Sequence, residues 1–469
     1  MSVPFGRAVL TLDDITRQIR RTFEQFTDPR RGKNTRYTLV DAGLSAFSVF
    51  FMQSPSFLEY QRSLDQRLGK NNAQTLFGVH QIPSDHQIRH WLDATEPGQV
   101  NSLFSYLFQA LHQAGVVETY RSVNQTLLLA FDGVQYFSSS AIHCPQCSVR
   151  QHANGSVTYS HTALTPVLVK PGLDKVIPLA PEFVRPQDGA AKQDCELNAA
   201  KRWLATWGDD YSPLRVTLLG DDLYGHEPFC RDAVNRGFDF ILVCKPDSHA
   251  LVAEWLAFLE QGGAVNTVVR RRWTGQRREI DTYRYAQAIP LRDGKDALLV
   301  NWCELTTTDE KGNMLYHNSF ATSLALDDRQ VPEVVAAGRS RWKIENENNN
   351  TLKTKGYHFE HNYGHGQQYL SSMLASLIIL AFLVHTVLEW MDDQYQLLRR
   401  KLPSRQRWFG DIRTLTSYLC FESWEALMTF MLQSFEPASP QPETGSNRQN
   451  ENCCGSIEVN ARMPYILAS

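Results

Sequence analysis

The sequence has no excess of positive charge. Lys and Arg total 47 against 50 Asp and Glu, a formal net charge of −3 over 469 residues. No global basic field marks a nucleic-acid partner, and any contact with DNA must come from local patches. An apolar leader is lacking too, since nothing between Met1 and Asp14 forms a hydrophobic segment ending in small residues. With nine cysteines in so long a chain, this points to a reducing cytoplasm in which disulfides are not expected. Long hydrophobic runs are scarce. The one of membrane-spanning length, Leu370 to Leu388, contains Ser371, Ser372, Ser376 and His385, so it reads as a buried core helix and no membrane is expected. No internal repeat is evident. Only residues 434–469, rich in Pro, Ser, Asn, Gln and Glu, have the composition of a disordered tail.

What is present suits several packed cores: 42% of residues are hydrophobic and 11% aromatic, and the length implies more than one domain. Residues 1–120 carry apolar side chains at helical spacing and read as a helical N-terminal domain, for DNA binding or dimerisation. Within it Ser84-Asp85-His86-Gln87 is a capped helix start, open to a helix-turn-helix or to an ordinary bundle helix. Residues 121–250 change to short strands, TLLLAF at 126–131 first, and then to VTLLG at 216–220, a helix from Glu227 and a strand over 238–244. Strand, helix, strand at this spacing is a βαβ unit, which makes the class α/β with a partly parallel sheet. Residues 251–328 return to hairpin-like β material, and 329–433 hold a helix over 332–355 followed by the apolar helix.

Chemistry-bearing residues fall at the ends of these elements. Asp132 follows TLLLAF and Asp221 follows VTLLG, the strand ends at which open α/β sheets bind ligands. Glu345 lies on the helix in GRSRWKIENENNNTLK. Gathered in space, the three would form an all-oxygen site suited to Mg²⁺ or Mn²⁺, and two such ions about 3.5–4 Å apart serve an in-line phosphoryl displacement. Singly, each acid is equally well a turn residue or cap, and Arg341 with Glu345 an i, i+4 ion pair. Asp222 and Glu347 stand as alternates. Cys144-Pro-Gln-Cys147, with His152 and His161 following, has the ligand types of a structural Zn²⁺ site or else forms a reduced hairpin. The segment from Gly356 to Gly366, with His358, His361 and His365, is open to a metal centre, to phosphate contacts and to plain structure. Basic groups occur at Arg270, Arg271, Arg272, Arg277 and Arg278 beside Trp273, at Arg17 through Arg36, and at Arg399 through Arg407; such groups are solvated faces or phosphate contacts.

The blocks LLLAFDGVQYF, LLGDDLYGHEPF and RSRWKIENENNNTLK resemble the three acidic blocks of DDE transposases of bacterial insertion sequences, over residues 124–388. Asp221 stands 89 residues after Asp132 and Glu345 a further 124 on. The resemblance implies an RNase H-like catalytic core with a β-rich insertion before the glutamate, and metal binding by Asp132, Asp221 and Glu345. It also implies a DNA or carboxylate contact for Arg341, transposon ends and target DNA as partners, and a homodimer on DNA. Two positions depart from the family pattern. Gly338 stands where a tyrosine is usual, and Leu352 where a lysine is usual, with Lys353 one step on. A nuclease that does not join strands and a non-catalytic zinc-containing DNA-binding protein are the rival readings.

Overall fold

The computed structural model describes residues 10–28, 37–56, 60, 69–186 and 193–435. Arg30, Arg31, Lys33 and Arg36 lie outside them, as does nearly all of the tail expected over 434–469. The described chain is mixed α/β around one large mixed sheet of nine strands. Strand β1 (Leu127–Ala130) pairs in parallel with β8 (Val216–Gly220), which pairs in parallel with β9 (Asp239–Val243); on its other side β1 pairs antiparallel with β5 (Val167–Lys170), and β5 with the edge strand β6 (Leu173–Pro178). Every residue of β1 and β8 is buried, which is why these strands read as unbroken apolar runs without alternation. A small second sheet is formed by β2 (Gly133–Ser139), β4 (Val157–Leu164) and β3 (Ser148–Gln151), with β7 (Glu182–Phe183) on β4.

The β-rich segment does not fold apart. Strands β10 (Asn266–Trp273), β11 (Arg278–Pro290), β12 (Leu299–Asp309) and β13 (Met314–Thr322) form a meander whose last strand pairs antiparallel with β9, so it prolongs the main sheet. The helical N-terminal region is likewise joined to the rest. Thr11 with Asp14 and Ser84 with Gln87 form capping boxes that start helices Leu12–Glu24 and Asp85–Asp93. Helices Leu39–Phe51, Asp85–Asp93 and Asn101–Gln113 pack on Leu370–Met391, and one apolar cluster runs from Leu12 to Met431. Ile88, Trp91 and Leu92 are buried in it, the bundle-helix alternative for that segment. Leu370–Met391 is the one helix among the described residues long and apolar enough to cross a membrane, and 89% of its apolar window is buried inside the fold. Some of its polar groups are served internally: the Tyr357 hydroxyl and His385 Nδ1 are 2.6 Å apart, and Thr386 donates to the Phe382 carbonyl at 3.1 Å, whereas Ser376 Oγ and His385 Nε2 are buried without a hydrogen-bond partner among the described residues.

The helix expected over 332–355 is broken. An α-helix, Val331–Arg339, is followed by a π-turn at Ile344–Asn349 and a short α-helix, Asn350–Thr354. Gly338 sits where the first of these presses on the sheet. A methyl group there would stand 2.9 Å from Ile241 Cγ2 and from Phe320 Cε1, so the position has no room for a tyrosine. Gly338→Ala is expected to lower stability by about 1–3 kcal/mol, the usual penalty of overpacking. A shift of the urea midpoint checks this.

Candidate active site

Backbone pairing brings the two aspartates level. In the parallel β1–β8 pair Leu129 faces Leu218 and Ala130 faces Leu219, and the Phe131 amide donates to the Leu219 carbonyl at 2.8 Å. Carried two residues further, the same register sets Asp132 opposite Asp221 at the C-terminal edge of the sheet. Asp221 Oδ1 accepts the Leu223 amide at 2.9 Å, which closes the turn and fixes its carboxylate. Asp222 is employed elsewhere: it accepts the Lys245 amide at 2.7 Å and the Ser248 hydroxyl, tying down the turn after β9.

Asp132 is the electrostatic centre. Burial first, and then the charges of Glu196, Glu345 and Asp221, together push its carboxyl up to about 7 against the opposing charge of Arg341. Asn349 Nδ2 donates to Asp132 Oδ2 at 3.0 Å. Arg341 lies 2.8 Å from Glu345, so one guanidinium is set against a group of carboxylates. Glu345 is open to solvent, its side chain 53% exposed. Glu347, two residues on and therefore turned to another side of the helix, lines a separate groove of about 570 Å³ with Lys355, Arg399 and Arg405.

Glu196 is a member that the sequence did not reveal. It opens the helix Glu196–Tyr211, and its Oε1 accepts the Tyr224 hydroxyl at 2.6 Å. Its carboxyl is raised by burial first and then by the charge of Asp221. The close approach needs Gly133, because a Cβ there would collide with Glu196 Oε2. The only advance sign was a glycine directly after Asp132, which a turn explains as well.

The π-turn bears on the lysine. A π-turn holds an extra residue, so eight residues, not seven, return the chain to the side bearing Glu345. Leu352 is fully buried, whereas Lys353 is partly exposed and pairs with Glu360 at 2.7 Å. Of the arginines on the edge strand β10, Arg272 is tied to Asp281 at 2.8 Å and to Glu279; Arg277, in the turn before β11, pairs with Glu279 at 2.9 Å. Arg272 is therefore occupied within the sheet, while Arg270 and Arg271 remain exposed. Charge on an edge strand also deters strand-to-strand association. In the C-terminal group Arg399 and Arg405 are turned inward to Glu389.

A second constellation differs from the expected one. Cys144, Cys147 and His161 meet, but the fourth member is His365, not His152. His152 belongs to the far end of the β3–β4 hairpin, where its Nε2 lies 2.8 Å from Thr158 Oγ1. Among the described residues this is the only set of three or more metal-ligating side chains whose ligand atoms all lie within 4.8 Å of one another. The acids of the sheet edge interact over a longer range.

No protein-family model matches the chain, and no curated protein matches it.

Proposed function

We propose that the protein is a DDE-type DNA transposase built on an RNase H-like core, which cleaves the ends of its element and joins the freed 3′-hydroxyl to target DNA. The observation that carries this reading is the pair Asp132 and Asp221, level at the ends of adjacent parallel strands, with the charge of Glu345 acting on Asp132. The residues fit a pair of divalent cations by the chemistry of the donor set. It is all oxygen, and the charges of Glu196, Glu345 and Asp221 act with burial to raise the Asp132 carboxyl, an arrangement that a divalent cation would relieve. Mg²⁺ or Mn²⁺ bound by Asp132, Asp221 and Glu345 would supply Lewis-acid stabilisation of the scissile phosphate and of the attacking oxygen.

The chain's own residues do the rest. Asn349 steadies Asp132 through its amide, and Arg341 holds Glu345 in place and offers a cation at the edge where a phosphate would lie. Glu196, locked by Tyr224, adds charge beside Asp132 without needing to touch DNA. Lys353, returned by the π-turn to the side of Glu345, and the exposed Arg270 and Arg271 are the phosphate contacts of this reading. Water and then the DNA 3′-hydroxyl act as nucleophiles, so no side chain forms a covalent bond to DNA. Two ends must be held together, which calls for a homodimer on DNA, and the absence of a disulfide between Cys144 and Cys147 suits a reducing cytoplasm.

The test is incubation of the purified protein and Mg²⁺ or Mn²⁺ with a labelled fragment carrying the inverted repeats that flank its gene, with a target plasmid present. Strand-joined product is expected. Cleavage without joining would reassign the protein as a nuclease, and binding without either would leave a DNA-binding protein.

A further inference from the structure

We propose that Cys144, Cys147, His161 and His365 bind one structural Zn²⁺ that fastens the loop after the Glu345 helix to the hairpin that follows Asp132. The distances between ligand atoms carry the assignment. Zn–S bonds of about 2.3 Å and Zn–N bonds of about 2.0–2.1 Å at tetrahedral angles require S···S edges of about 3.8 Å and S···N edges of about 3.6 Å. The two sulfurs are 3.8 Å apart, His161 Nε2 is 3.5 Å from each, and His365 Nε2 is 3.5 Å from Cys147 Sγ. A disulfide would bring the sulfurs to about 2.05 Å, and both cysteines are free.

The surroundings are those of a closed site. The Cys147 amide donates to the Cys144 carbonyl at 3.1 Å, making a tight turn that aims both sulfurs the same way, and the Cys144 amide donates to Cys147 Sγ at 3.4 Å. Tyr136 stacks on His161 at 5.8 Å, and Phe137 lies 4.3 Å from His365, centroid to centroid, so aromatic rings wall the cluster from water. Thiolate and imidazole donors select Zn²⁺ over Mg²⁺. Four protein ligands leave no open position, so the ion is structural and takes no part in chemistry.

The placement gives the ion a purpose. Cys144 and Cys147 lie between β2, which begins next to Asp132, and β3; His161 is on β4. His365 comes from the segment directly downstream of the π-turn and Lys353, 218 residues from Cys147. One Zn²⁺ thus links the first acidic block to the third.

The full-length protein, prepared without chelator, is expected to hold about one zinc per chain by elemental analysis. His365→Ala and Cys147→Ser should lose it, and His152→Ala should keep it. Zinc-free wild-type protein after incubation with equimolar Zn²⁺, or full occupancy in His365→Ala, would overturn the assignment. Because a ligand variant could fail to fold, wild-type protein is also titrated with Co²⁺: intense visible bands with sulfur-to-cobalt charge transfer are expected, and a pale octahedral spectrum would sink the idea. Chelation of the wild-type ion should speed proteolytic cutting within residues 356–369, and an unchanged rate would refute the fastening. None of these readouts involves DNA, so they stand or fall apart from the transposase reading.

Discussion

Alanine at Asp132, at Asp221 or at Glu345 is expected to lower DNA cleavage by about a thousandfold or more, which corresponds to about 4 kcal/mol or more of lost transition-state stabilisation. Each change removes a carboxylate that would hold a divalent ion, and what remains cannot compensate, because the acids come from the ends of two strands and from a helix. DNA binding should persist, since removing negative charge from a site that receives phosphate does not weaken the encounter. The neighbours give the contrast. Asp222→Ala should retain cleavage within about tenfold, a loss of up to about 1.4 kcal/mol, because Asp222 serves the Lys245 and Ser248 turn. Glu347→Ala should do the same, because its side chain lines the groove with Arg399 and Arg405. The measurement is initial cleavage rate on a labelled end fragment, with a gel-shift titration beside it. Retained cleavage in Asp221→Ala with loss in Asp222→Ala would move the site to the neighbour.

That contrast shows where the sequence was legible. Strands β1 and β8 were plain as apolar runs because the sheet buries them on both sides, and the acids that end them were plain for the same reason. The interval of 89 residues between Asp132 and Asp221 equals the offset of the β1–β8 pairing, although spacing alone could not say that the strands are neighbours. The π-turn was hidden because one extra residue scarcely alters an apolar pattern of period 3.6, and it set Lys353 out of step with the expected lysine. Glu196, and the partnership of His365 with Cys144 and Cys147, were hidden for a different reason. Each residue joins its site through tertiary packing alone: Glu196 lies between Asp132 and Asp221 in the chain on a helix of its own, and His365 stands 204 residues after His161. The packing of the N-terminal helices on Leu370–Met391 was not legible, since amphipathic periodicity reveals that a helix has a buried face and not which element covers it.

The second large effect is a link between pH and divalent ions. In the metal-free protein Asp132 ionises only near pH 7, and Glu196 is raised as well, whereas in the unfolded chain both would ionise near their ordinary values of about 4. Between these limits the folded state binds more protons than the unfolded one, so stability must fall as pH rises from about 4 to about 7, by an amount on the order of 1–4 kcal/mol for Asp132. Divalent ions act in the opposite sense, because they bind the carboxylate and displace its proton. Mg²⁺ at about 10 mM should therefore raise the melting temperature by about 2–4 °C at pH 8 and far less at pH 5.5. Asp132→Asn removes both effects: the metal-free protein should melt higher than the wild type at pH 8, and Mg²⁺ should no longer shift it. The thiolate–imidazole cluster does not interfere, since Mg²⁺ takes oxygen donors. Scanning calorimetry at the two pH values, with and without Mg²⁺, decides it. An Mg²⁺ shift as large in Asp132→Asn as in the wild type would place the bound ion away from the sheet edge and remove the basis for metal-assisted chemistry there.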